Sequence, residues 1–170
     1  VNNMNLVTKI YFPREVLPLA SIGAAFVDFG AASVVFVGML ILYGVRPDVQ
    51  ALWIIALLGI QLVLTMGVTL LGSATIVFFR DVRFVVPLLI QIWMYATPVI
   101  YPTELVPEQL RPYYFLNPMA GIIDGYRRTL LTGEAPLMSA LLSSTIISFL
   151  LLVLGYALFK HVEPLFADLI

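Results

Sequence analysis

Cysteine is absent from this 170-residue chain and histidine occurs once, as His161. Those absences remove thiol nucleophiles, disulfides and Cys/His zinc clusters. Charge is scarce too. Charged residues make up 11% of the chain, against roughly 25% in soluble domains. The net charge of −1 leaves no electrostatic footprint for nucleic acid. Catalytic signatures are missing as well: there is no Gly-x-Ser-x-Gly elbow and no His-Glu-x-x-His pair. Gly67 and Gly72 are followed by Ser73, where a phosphate-binding loop needs lysine. Glu104 and Glu108 are carboxylates at helical spacing, a pattern that reads as a solvated face. These residues give no support for catalysis.

What the chain has in abundance is apolar surface. Hydrophobic residues are 61% and mean hydropathy is +1.02. Four apolar runs, with their flanks, cover 16–45, 51–79, 84–101 and 137–159. A helix rises about 1.5 Å per residue, so about 20 residues cross a hydrocarbon core of ~30 Å. The fold class predicted is an all-α integral membrane protein. Four transmembrane helices carry a set of short re-entrant or amphipathic helices over 102–136. Residues 1–170 form one membrane domain. The chain begins with Val rather than Met, and we expect it to be part of a longer protein.

Four crossings place both ends on one side. Lys9, Arg14, Arg80, Arg83 and Lys160 lie on that side, directly at span ends. Arg46, Arg111, Arg127 and Arg128 lie on the other, three of them within the long insert. The positive-inside bias favours cytoplasmic ends.

The insert 102–136, with Pro98 just upstream, carries six of the eleven prolines. Asn117-Pro118 is a helix start, since Asn caps and Pro suits the first turn. Gly133 is a stop. Between them Met119, Ile122, Ile123, Tyr126 and Leu130 share one face, with Asp124, Arg127, Arg128 and Thr132 elsewhere. The segment PEQLRPYYF reads as a shorter, proline-broken helical piece.

Three constellations each carry two readings. Asp28 is the only charge deep inside a span, and is either part of a translocation path or gate or a hydrogen-bonded helix contact. Arg127 and Arg128 follow Asp124 at helical spacing, which gives either a local ion pair on a solvated face or a site for an anionic headgroup or phosphate. Trp93, Tyr95, Tyr101, Tyr113, Tyr114, Phe115 and Tyr126 form either an interfacial aromatic belt or a stacking surface for sugar rings.

The order of motifs then becomes informative. NLVTKIYFPRE over 5–15, RDVR over 80–83, YATPVIY over 95–101 and LNP over 116–118 together resemble the permease subunit of ABC-2 type exporters. Within these the chain is most similar to the branch exporting O-antigen, capsule, teichoic acid and other lipid-linked polysaccharides. The resemblance runs over essentially the whole chain and matches the last four of the family's six spans. It implies a multi-pass protein of the bacterial inner membrane with no catalytic residue and no cofactor in this chain. ATP and Mg would sit on a partner ATPase. It assigns 1–15 to a cytoplasmic coupling segment, with Asn5, Lys9, Tyr11, Phe12, Pro13, Arg14 and Glu15 docking on that ATPase. It assigns 102–136 to short helices gating the periplasmic exit. With them go Asp28, Trp93, Tyr95, Tyr101, Tyr113, Tyr114, Arg127 and Arg128 as path or gate residues. Expected partners are the ATPase, a second permease copy, membrane lipids and a lipid-linked glycan. The rival readings are a gradient-driven transporter or channel, with Asp28 as the ion site, and a membrane transferase acting on lipid-linked sugars.

Overall fold

The computed structural model describes residues 16–45, 48–79 and 81–163, with side chains from Ala20 onward. Among the described residues six α-helices follow one another: α1 (Val16–Leu42), α2 (Trp53–Phe78), α3 (Val82–Ala96), α4 (Arg111–Tyr114), α5 (Pro118–Arg127) and α6 (Met138–Val162). There is no strand among the described residues. The segment expected to dock an ATPase, Asn5, Lys9, Tyr11, Phe12, Pro13, Arg14 and Glu15, lies outside the described residues, as do Arg46 and Arg80.

Among the described residues three stretches are long and apolar enough to cross a bilayer: Ala20–Leu42 with 23 residues, Val49–Phe78 with 30 and Met138–Val162 with 25. The chain is an all-α, multi-pass membrane protein. Its connections follow local chemistry. Gly44 takes the left-handed conformation (φ 70°), and the Val45 N–H returns to the Leu40 carbonyl at 3.0 Å, closing α1. Asp48 then accepts from the Val49 N–H at 2.7 Å and starts the short 3-10 turn that leads into α2.

The apolar run 84–101 does not become a helix of that length. Helix α3 has 15 residues, about 22 Å at the usual rise. It stops because Pro98 excludes its predecessor from the helical region, and Thr97 is extended (φ −107°, ψ 144°). The remaining apolar residues turn back towards the insert.

Helices α2 and α6 form the central pair. A Cβ on Gly67 would lie 2.6 Å from the Leu152 nitrogen, and one on Gly155 would lie 2.6 Å from the Gly67 carbonyl oxygen. The two backbones therefore touch at glycines, the membrane route to close packing. Leu57, Leu64 and Ala74 from α2 are buried, with Ala140, Leu141, Phe159 and Val162 from α6. Helix α5 sits at one end of this pair. Its Gly121 lies against the Ala140 carbonyl, where a Cβ would approach to 2.7 Å, and its Gly125 lies under the Leu57 side chain. By contrast α3 has no buried residue, and on α1 only Ile22 and Leu40 are buried among the described side chains.

Candidate functional site

The insert is built as foreseen at its two ends. Asn117 is the N-cap of α5 and accepts from the Met119 N–H at 3.1 Å, while Pro118 occupies the first turn. Gly133 ends the segment in the left-handed region (φ 69°) after a π-helical turn over Arg128–Thr132. PEQLRPYYF yields only the four-residue α4.

The reading of Asp124, Arg127 and Arg128 as a local ion pair on a solvated face needs correction. Asp124 is 4% exposed, within a helix whose Pro118, Ala120, Gly121, Ile122 and Gly125 are also buried. The helix is enclosed on most sides, so one polar face cannot be solvated. Asp124 accepts a hydrogen bond from Thr103 Oγ1 at 2.6 Å, and its other oxygen has no partner. It makes no ion pair with Arg127 or Arg128, so the local ion pair on a solvated face does not form.

Arg127 instead turns towards the end of α3. Its guanidinium donates to the Tyr101 carbonyl at 2.9 Å, to the Pro98 carbonyl at 3.0 Å and more weakly to the Val99 carbonyl at 3.5 Å. These carbonyls belong to the stretch that Pro98 keeps out of the helix, so the planar fork of donors meets acceptors no helix could supply. Arg128 pairs with Glu134 and donates from Nε to the Ala135 carbonyl at 3.2 Å. In this arrangement both arginines are engaged within the chain.

A second set of bonds centres on Asn117. Trp93 Nε1 donates to its Oδ1 at 2.8 Å, while its Nδ2 donates to Thr97 Oγ1 at 3.1 Å and to the Ala96 carbonyl at 3.4 Å. Buried Thr97 in turn donates to the Trp93 carbonyl at 2.8 Å. The motifs YATPVIY and LNP, twenty residues apart along the chain, are thus two sides of one junction. Tyr101 donates to the Tyr95 carbonyl at 3.2 Å and its hydroxyl lies 2.9 Å from that of Tyr114, the two rings packing at 6.5 Å. Burial first, then the bond to Tyr101, raises the Tyr114 pKa well above the usual phenol range. On the opposite side of α5, Tyr126 donates to Gln61 of α2 at 2.9 Å. Burial pushes its pKa up to about 12.

The sequence-selected residues therefore divide. Trp93, Tyr101, Tyr114 and Arg127 meet in the junction between the end of α3 and the insert. Tyr95 and Tyr113 have exposed rings, 58% and 73% respectively. Arg128 closes the far end of the insert. Asp28 stands apart on α1, exposed and with no hydrogen bond or ion pair among the described residues. Sequence reasoning missed Thr97, Thr103 and Gln61, and read Asn117 only as a cap. One signal was available for Gln61: it is the one amide side chain in a span whose other polar residues are small hydroxyls. No cluster of metal-ligating residues occurs among the described residues.

A membrane protein with close-packed spans and a hydrogen-bonded helical insert at one end is the class this geometry defines. The family model for ABC-2 type transporters matches residues 4–131. The chain belongs to that family. It is also similar to O-antigen export system permease proteins RfbA. Two come from Klebsiella pneumoniae, at 30% and 31% identity over all of this chain, and one from Myxococcus xanthus, at 27% identity over 96% of it. The chain spans 64–66% of those relatives' length.

Proposed function

We propose that this chain is the greater part of the membrane permease of an ATP-driven exporter that moves lipid-linked polysaccharide across the bacterial inner membrane. The observation that carries the reading is similarity along its whole length to O-antigen export permeases. The physical fit is good. A polymer rich in hydroxyls cannot cross hydrocarbon unaided, because each unsatisfied polar group is costly there. A protein-lined route solves this without catalysis. ATP would be hydrolysed on a separate subunit docked at the cytoplasmic side, to which this reading assigns the coupling segment 1–15 and the end of α6. A second permease copy completes the channel, and the insert 102–136 caps its periplasmic mouth. Exposed Tyr95 and Tyr113 offer flat rings to passing sugars.

Energy source separates this reading from its gradient-driven rival. In cells carrying the full-length protein, surface polysaccharide should stop appearing on ATP depletion and continue when an ionophore collapses the ion gradients. Export that survives ATP depletion but fails with the ionophore overturns the proposal and makes Asp28 the site to pursue. Product formation by the purified permease without any ATPase would instead favour a transferase.

A further inference from the structure

Helix α3 is attached to the rest of the molecule in an uneven way. No residue along it is buried; Trp93, which bonds to Asn117, is half-buried, as are Val82 and Val86. One end is joined to α2 by a tight turn, with the Val82 N–H donating to the Phe79 carbonyl at 3.0 Å. The other end is held by the side chains of Asn117 and Arg127, which between them bond to Trp93, Ala96, Thr97, Pro98, Val99 and Tyr101. Helix α5, which carries both residues, is itself fixed to the α2–α6 pair through Gly121, Gly125 and the Tyr126–Gln61 bond. Packing therefore secures α5, while the exit end of α3 is secured to it by these polar bonds together with the burial of Thr97 and Pro98 just beyond the helix.

We propose that Asn117 and Arg127 are positioning residues: they fasten the exit end of α3 to α5, so that this end stays in register with the insert while the body of α3 is free to move. The inference deepens the exporter reading and rests on it for its effect on transport. Neither side chain is offered to the glycan, since both are occupied by backbone and side-chain partners. A low-dielectric site strengthens such bonds and makes their loss costly. Their removal should release the end of α3 without unfolding the glycine-packed α2–α6 pair, which does not depend on them.

The test uses the full-length permease with its ATPase in sealed proteoliposomes supplied with lipid-linked polysaccharide, spin-labelled at cysteines replacing exposed Ile92 and Leu142 across the junction. A second pair at exposed Ile55 and Leu150 reports the central helices. Asn117→Ala and Arg127→Ala should each broaden the first distance distribution and leave the second unchanged. Asn117→Asp keeps the acceptor for Trp93 and Met119, and should restore part of the sharpness. Export per ATP hydrolysed should fall in the alanine variants while hydrolysis itself persists, a split that general misfolding would not produce. Sharp first distributions in both alanine variants overturn the fastening, and so does equal broadening of the second pair. Broadened distances with wild-type export per ATP overturn the role in positioning for export. If the unmutated protein shows no ATP-dependent export, the exporter reading fails while the distances still judge the fastening.

Discussion

At the scale of single residues, this structure turns on polar side chains that face inward from a membrane protein. Tyr126 is the simplest to test. Its hydroxyl donates to Gln61, and burial pushes its pKa up to about 12. A phenol whose pKa is higher folded than unfolded holds its proton more tightly in the fold. The stability linked to it is fully present below the unfolded value near 10 and declines as pH rises from there through about 12. The detergent-solubilised protein should accordingly lose thermal stability in that alkaline window. Tyr126→Phe cannot ionise there, so it should show a shallower decline and a lower plateau at neutral pH from the lost bond, about 0.5–1.5 kcal/mol. Melting curves against pH for the two proteins decide this, and parallel curves would detach Tyr126 from alkaline unfolding. Asp124 teaches a related lesson. Its spacing to Arg127 and Arg128 allows either a local ion pair on a solvated face or an anion site beside it. In the fold it is buried against Thr103 with one oxygen unpartnered.

Elements divide into those fixed by packing and those fixed by bonds. The α2–α6 pair depends on Gly67 and Gly155, where a Cβ would meet backbone atoms of the facing helix at 2.6 Å. Backbone cannot rotate aside as a side chain can. Gly67→Ala or Gly155→Ala should therefore force the helices apart, at about 1–3 kcal/mol. Gly72→Ala on the same helix meets nothing within 4 Å and serves as the control. Folded yield and melting temperature in detergent measure the contrast, and equal behaviour of Gly67→Ala and Gly72→Ala would refute the close contact. These elements were also the legible ones. Long apolar runs announce α1, α2 and α6 because hydropathy needs no knowledge of neighbours, and Asn117, Pro118 and Gly133 mark helix limits by local rules. The length of α3 was less legible, because a continuous apolar run concealed the break that Pro98 imposes on Thr97. The junction was hidden altogether. The bonds that Asn117 and Arg127 make there link residues 20 to 29 apart, and only the reversal of the chain after α3 brings those partners together.

For the whole molecule, orientation follows from which ends lie together. The turn at 48–52 and the end of the insert lie on the same side, since a Cβ on Gly133 would lie 3.8 Å from the Asp48 Cβ. The beginning of α1, the 79–82 turn and the end of α6 then share the opposite side. The basic residues crowding span ends at Lys9, Arg14, Arg80, Arg83 and Lys160 favour the cytoplasm for that side. A coupling segment before α1 could meet an ATPase only there, so orientation and proposed partner stand or fall together. Asp81 and Glu108 are both exposed and lie at opposite ends of the fold. This chain contains no cysteine of its own to confuse labelling. With single cysteines introduced at these positions, an impermeant thiol reagent added to intact cells whose outer membrane has been permeabilised should modify position 108 and spare position 81, with both reacting after lysis. The reverse pattern would put the insert in the cytoplasm, where it could not cap a periplasmic exit. The ATPase would then have to be sought against the insert itself.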